Sequence, residues 1–290
     1  MRVTQQTVQR STLANLQLNL SRMSDLQARM SGGKVLTKPS DDPPAVAQAL
    51  ALRADSRATE QYQRNAQDGI AWLTTVDTAL QASVRGLRQA RDLTVQAGGA
   101  MNQTSREAIA QQIEGARTAI LEQSNASYLG RSVFAGTSDA GKAFDATYTW
   151  TGTPGASVDR RVSPDATVRA DADGTVVFGN GATSVFKLLD DIAADVRNGV
   201  DVSARLGEID TRMQTMLGEL GGVGTRTNQV TAAQSNGASH LQDLKSRLSG
   251  VEDIDLAQTI VELQMQEVAY QGALGATKRV LQPTLMDFLR

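Results

Sequence analysis

At both ends of this chain, apolar residues fall into a narrow stripe at coiled-coil spacing. Leu13, Leu16, Leu20, Met23 and Met30 follow in steps of three, four, three and seven, with Gln27 standing where the stripe asks for an apolar side chain. The rest of that segment is Gln, Asn, Ser, Thr and Arg. Helix nucleation is costly, so a helix of about 20–30 residues with so thin a stripe is marginal in water by itself. It needs a partner. From Ile254 to Arg290 the pattern returns: Val261, Met265, Val268, Leu274, Leu281, Leu285 and Phe288 mark an apolar face in a Gln-rich background. Pro283 removes a backbone donor and should bend the last turns. The simplest arrangement pairs the two ends with each other.

Between the ends the text reads mostly as helix. Gly32 and Gly33 close the first helix, and in Lys38-Pro39-Ser40-Asp41-Asp42-Pro43-Pro44 an extended turn leads to Asp42 as cap and Pro43 as helix opener. The next helix, about Pro44 to Ala97, carries Leu73, Val76, Leu80, Val84, Leu87, Ala90 and Leu93 and is stopped by Gly98 and Gly99. Thr104 to Glu107 reads as a capping box for a third helix with Ile109, Ile113, Ala116 and Ile120, expected to pack antiparallel on the second. After Gly130 helical periodicity vanishes. Tyr148 and Trp150 alternate, as do Val158, Arg160 and Val162, and Asp173-Gly174 separates Val168 from Val176 and Phe178, which predicts hairpins. From Leu188 helical spacing resumes through Leu206, Ile209, Met213, Leu217 and Leu220 to Leu241, Leu244 and Leu248. The expected fold is mainly α, a long antiparallel helical rod with its terminal helices paired and a small inserted β domain. Three domains are expected: a terminal coiled coil (1–33 and 254–290), a helical bundle (34–133 and 187–253) and the insert (134–186).

Composition narrows the chemistry. The 290 residues include no Cys and one His, which excludes disulfides, thiolate nucleophiles and multi-His metal centres. A net charge of −2 offers no broad basic field for nucleic acid. Nowhere do about 18 apolar residues run together, so no membrane-spanning helix is expected. Aromatic residues, at 4%, are scarce for a compact enzyme core and ordinary for long helices meeting through aliphatic side chains. What remains is carboxylate chemistry, and its candidates have simpler readings. Asp171-Ala172-Asp173-Gly174 lacks the later ligands of a calcium loop and reads as a hairpin turn. Asp190, Asp191 and Asp195 read as a solvated helix start rather than a magnesium site. Gly221-Gly222-Val223-Gly224-Thr225-Arg226 lacks the Lys-Ser/Thr of a phosphate loop and reads as a local irregularity or close-packing point. His240 has no acid or second His beside it and reads as a surface residue, and Asp41-Asp42 as a cap. No catalytic residue, cofactor site or metal site is expected, and the chain is not expected to be an enzyme.

Several segments, taken in order, resemble the bacterial flagellin family: Ser31 to Val35, Lys38 to Ala47, Arg64 to Ile70, Thr75 to Leu80, Gly224 to Asn228, Asp253 to Ala257 and Val280 to Leu285. Met1 to Thr4, and Asn125 to Thr137 leading into a compact insert, look closest to the branch that joins hook to filament. The resemblance implies a structural adaptor of the flagellum whose two ends form an inner tube, whose middle helices form an outer tube and whose insert faces solvent. It implies hook-associated protein 1 and flagellin as neighbours, copies of itself in a ring, and a flagellar export chaperone. It also implies type III export to the extracellular flagellum without a cleaved signal peptide, in keeping with an N-terminus that has no apolar signal core. The alternative is a short flagellin that builds the filament itself.

Overall fold

The computed structural model describes residues 2–99 and 101–281, the side chains of 2–6, 8, 9 and 279–281 excepted. Seven α-helices dominate these residues: α1 (Arg2–Gly32), α2 (Pro43–Ala97), α3 (Gln103–Ser124), α4 (Gly174–Phe178), α5 (Val185–Asn198), α6 (Ser203–Glu252) and α7 (Leu256–Leu281). Four short strands lie between α3 and α4: β1 (Ser127–Tyr128), β2 (Arg131–Ser132), β3 (Asp159–Arg161) and β4 (Thr167–Arg169). This is the expected flagellin-like class, long helices with a small β part. Among the described residues no helix is long and apolar enough to cross a membrane. The chain forms two compact units, one of residues 1–57 with 241–290 and one of residues 58–240.

In the first unit the chain ends pair. Gly33, at φ +67°, turns the chain out of α1, and an antiparallel bridge then joins Lys34 to Asp253, with Val35 N–H donating to Glu252 O at 2.7 Å and Ile254 N–H to Gly33 O at 3.2 Å. Asp255 caps α7 by accepting from Gln258 N–H at 3.1 Å, and Asp42 caps α2 by accepting from Ala45 N–H at 3.0 Å. The Asp42 and Pro43 signals thus start α2 where the sequence places it.

The second unit holds the larger core. Along α2, Leu73, Val76, Leu80, Val84 and Leu87 are buried with Ile109, Ile113 and Ile120 of α3. A Cβ on Gly86 would lie 3.0 Å from Ile120 Cγ1, which places α2 and α3 side by side and, across the short loop after Ala97, antiparallel. The α3 start differs from expectation. Asn102, not Thr104, is the cap, its side chain accepting from Ser105 N–H at 2.8 Å. α5 runs antiparallel to α3, with Arg197 reaching both Glu107 and Glu114 and Arg117 reaching Asp190. In the same core Phe134, Phe144, Phe178 and Phe186 are fully buried, with neighbouring ring centroids 5.1–5.8 Å apart.

The insert has less β structure than its alternation suggests. β3 and β4 form one hairpin, Arg160 opposite Val168, and Phe144 meets Trp150 in a single bridge. Asp173-Gly174 is not a hairpin turn: Asp173 accepts from Thr175 N–H at 2.8 Å and caps α4, which buries Val177 and Phe178. The run Gly221 to Gly224 is likewise no irregularity, for α6 passes through it unbroken, and a Cβ at Gly221 or Gly224 would meet nothing within 4 Å.

Candidate assembly surface

The paired ends α1 and α7 form the surface toward which the sequence points. On α1 Thr12, Leu16, Asn19, Met23, Leu26 and Met30 are half-buried, a series of fours and threes, with Arg29 half-buried beside it. On α7 Thr259 and Leu263 are buried and Gln266, Tyr270, Ala273 and Thr277 half-buried, again in fours and threes, with Glu262 half-buried beside them. Both series are heptad a and d positions, so each helix sets one seam against the other. Gln266 Nε2 donates to Asn19 O at 3.2 Å and lies 3.3 Å from Asn19 Oδ1. That contact and the Lys34–Asp253 bridge order the two helices antiparallel.

The residues of the predicted seam are distributed over more than one face. Leu16, Met23 and Met30 lie in the α1–α7 contact. Leu13 and Leu20 lie at its edge, 60% and 48% exposed. On α7, Val261, Met265, Val268 and Leu274 are 53%, 60%, 70% and 45% exposed, none of them in the contact series. Leu285, Phe288 and the Leu281 side chain lie outside the described residues. A groove of about 500 Å³ runs beside the pair, lined by Arg22, Asp25, Leu26, Arg29, Glu262 and Met265 among others.

A clasp secures the start of this pair. The Glu252 side chain, 4% exposed, receives Arg53 at 2.8 Å and Lys34 at 3.2 Å, and Lys34 also reaches Asp253 at 2.7 Å. Burial pushes the Glu252 carboxyl up, but Arg53 and Lys34 together outweigh it and leave the group below its ordinary value. Lys34 and Ser249 hold Asp253 down by hydrogen bonding, and the same contacts with Asp253 and Glu252 raise Lys34. Sequence reading missed this cluster because its partners are some two hundred residues apart in the chain. The polar contact Asn19–Gln266 was missed because polar residues at seam positions do not register as part of an apolar stripe.

The other sequence candidates sit in structural roles. Asp190 accepts from Arg117 at 2.6 Å and from Tyr148 Oη at 2.7 Å, Asp191 from Lys187 at 2.5 Å, and Asp195 from Arg205 at 3.2 Å. The first is therefore an anchor between helix and insert rather than a solvated helix start. Asp171 is buried and bound by Arg169 and by Val158 N–H. His240 is exposed on α6. Among the described residues no group of three or more His, Asp or Glu is placed to hold a metal ion.

Comparison with known proteins agrees with this architecture. The model for the bacterial flagellin N-terminal helical region matches residues 3–139. Flagellar hook-associated protein 3 of Salmonella typhimurium is 24% identical, covering 94% of this chain and 95% of its own. A flagellin of Bacillus subtilis is 25% identical, covering 94% of each. The crystal structure of Bacillus cereus FlgL superposes with a TM-score of 0.61 at 21% identity, covering 69% of this chain and 99% of that one, a likeness of fold. The chain is thus similar to bacterial flagellins in its N-terminal helical region, and to hook-associated protein 3 and flagellin over nearly its whole length.

Proposed function

We propose that this chain is a structural subunit of the bacterial flagellum, the adaptor layer at the junction of hook and filament on which flagellin assembles. The observation that carries the reading is the terminal helix pair: α1 and α7 cover each other along one seam and leave Leu13, Leu20, Val261, Met265 and Val268 exposed. Exposed apolar residues at helix spacing are contact surface waiting for other chains. The hook-associated protein 3 relative, matched over nearly its whole length, supports the junction role.

In this reading 1–33 and 254–290 serve the inner tube, 34–133 and 187–253 the outer tube, and 134–186 faces solvent. Hook-associated protein 1 binds on one side and flagellin on the other, copies of the chain close a ring, and an export chaperone escorts it to the extracellular flagellum. A second reading, a short flagellin forming the filament itself, draws on the Bacillus subtilis flagellin, which matches at similar identity and coverage. A filament subunit repeats one contact indefinitely, whereas an adaptor offers two unlike surfaces and stops. Immunolabelling of cell-attached flagella separates the two. We expect a band at the filament base; label along the whole filament would reject the junction reading.

A further inference from the structure

Tyr148 and Leu129 are the two non-glycine residues with a left-handed backbone among those described, and they are placed very differently. Leu129, at φ +50°, tips a turn and is 79% exposed. Tyr148, at φ +64°, is half-buried and lays its ring on Phe186, with centroids 5.4 Å apart. It closes the three-residue loop Ala146-Thr147-Tyr148, which is bracketed by Asp145 N–H donating to Thr149 O at 3.1 Å. Hairpins with such a loop usually carry glycine at this place, because a Cβ crowds the left-handed backbone. A residue kept in an unfavourable conformation has to be held there by its surroundings.

The bonds that hold it are few. Tyr148 Oη donates to Asp190 at 2.7 Å and accepts from Arg117 at 2.8 Å, and its carbonyl accepts from Gly181 N–H at 2.9 Å. Burial, then the bond to Asp190, raises the phenol above its ordinary 10.0, so it stays protonated and donating near neutrality. Within the loop Asp145 Oδ1 accepts from Thr147 N–H and Thr149 N–H, each at 2.8 Å, which makes the tip a stiff unit. On the other side of the Phe144–Trp150 bridge the hairpin is anchored independently, by Asn125 at Phe144, by Ala143 O at Thr151 and by Asn180 at Trp150. Among the described residues, every hydrogen bond that ties 145–149 to the rest of the second unit passes through Tyr148. We propose that residues 145–149 form a lid over Phe186, hinged at the Phe144–Trp150 bridge and held shut by Tyr148 against its own backbone strain, and that the lid opens while the unit around it stays folded. Opening releases Gly181 N–H and uncovers Phe186, which is 0% exposed when the lid is shut. Strain and hydrogen bonding oppose each other at one residue, which brings the open state within reach of a local fluctuation.

Amide hydrogen exchange, read residue by residue on the full chain, tests this. In Tyr148→Phe the ring stays on Phe186 and Asp190 keeps Arg117 at 2.6 Å, so only the hydroxyl's bonds are lost. The Gly181 amide should then exchange about ten times faster, while the Phe144 and Thr151 amides, beyond the hinge, keep their wild-type rates. Tyr148→Gly removes the strain and the latch together, and should leave the Gly181 amide at least as fast as in Tyr148→Phe. The proposal falls if the Gly181 rate is unchanged in Tyr148→Phe. It falls equally if the Phe144 and Thr151 amides speed up with Gly181, since the hairpin would then come away whole. Should Tyr148→Gly protect Gly181 as well as wild type does, the loop backbone and not the tyrosine holds the tip, and the lid is rejected.

Discussion

Asn125 ends α3 and pins the insert to it, and removing its side chain should cost more than any single exposed contact in the second unit. Its Oδ1 accepts from Ala143 N–H at 2.8 Å and Phe144 N–H at 2.9 Å, and its Nδ2 donates to Leu121 O and Phe144 O, both at 3.2 Å. Ala143 and Phe144 are 0% and 1% exposed, so water does not readily replace the lost acceptor. Each stranded N–H costs about 1–3 kcal/mol. Leu121 O keeps the Ser124 hydroxyl at 2.8 Å, which limits the loss on that side. Asn125→Ala should therefore destabilise the unit by about 3 kcal/mol, a fall in midpoint temperature of roughly 6–12 °C for a domain of this size. Asn125→Asp keeps both acceptor bonds but turns a second oxygen toward Leu121 O and Phe144 O in place of the donor, so it should regain only part of that loss. Thermal and urea melts followed by circular dichroism, with near-ultraviolet signal reporting the Phe144 and Trp150 surroundings, measure both variants. An alanine variant within about 1 kcal/mol of wild type would refute the claim that two buried donors depend on one oxygen.

The helix pair makes its own predictions. Leu263, 9% exposed and facing α1, should cost about 2–3 kcal/mol of α1 and α7 amide protection when changed to Asp. Met265→Asp, on the open face, should stay within about 0.5 kcal/mol, and equal effects in hydrogen exchange would show the seam misplaced. Protection of the Val35 and Ile254 amides should follow pH through the clasp. Glu252 and Asp253 lie below their ordinary values of 4.5 and 3.8, so their contribution is present above those values and lost as pH falls through the depressed ones. Lys34 lies above its ordinary 10.5, so its contribution is full below that value and is lost as pH rises past the raised one; protection that fell at neither end of the pH range would contradict this. Gly174→Ala would put a Cβ 2.7 Å from Phe134 O and 2.9 Å from Trp150 Nε1, breaking the 2.8 Å bond between them. A loss of about 2–3 kcal/mol with a red-shifted Trp emission is expected. A short insertion between Pro154 and Gly155, exposed at a loop tip, should leave motility intact, and its loss would mark the insert as a contact surface.

Local signals were legible where local chemistry decides. Asp42 and Pro43 start α2 and Gly98 stops it because caps and helix breakers act within a few residues. Asp173-Gly174 shows where this ends. An Asp oxygen that accepts an N–H two residues on serves a turn and a helix cap alike, and the choice fell to Val177 and Phe178, which are buried only if α4 forms. The glycine run in α6 is a similar case. Each glycine in a helix interior costs about 1 kcal/mol relative to alanine, so a break is the local expectation. Ile209, Met216, Val223 and Val230, seven residues apart and all 0–1% exposed, carry the helix across it. That repeat is visible in the sequence, but only to a reader who gives a heptad of buried residues more weight than the glycines between them.

The phase of the terminal helices was harder to read, for a reason that bears on the proposed function. A hydrophobic stripe fixes a helix's buried face when the other faces are polar. On α7 the most apolar stripe, Val261, Met265 and Val268, points away from α1, while α1 meets Thr259, Leu263, Gln266, Tyr270, Ala273 and Thr277. What sets the phase is polar: the Lys34–Asp253 bridge, the Asp255 cap and the Asn19–Gln266 contact. Polar residues inside a helical seam specify register at some cost in stability. An intramolecular seam rich in Thr, Gln and Ala buries less apolar surface than one rich in Leu, so the pair is held in register more than it is held tightly. The larger apolar residues are then free for contacts outside the chain. On the proposed reading this division has a consequence for assembly: a neighbour that covers the open face of α7 also stabilises the pair beneath it, because it binds the ordered helix and not the unfolded one. Subunit contact and ordering of the chain ends then become one equilibrium, and the ends should be most protected from exchange where copies of the chain are most concentrated.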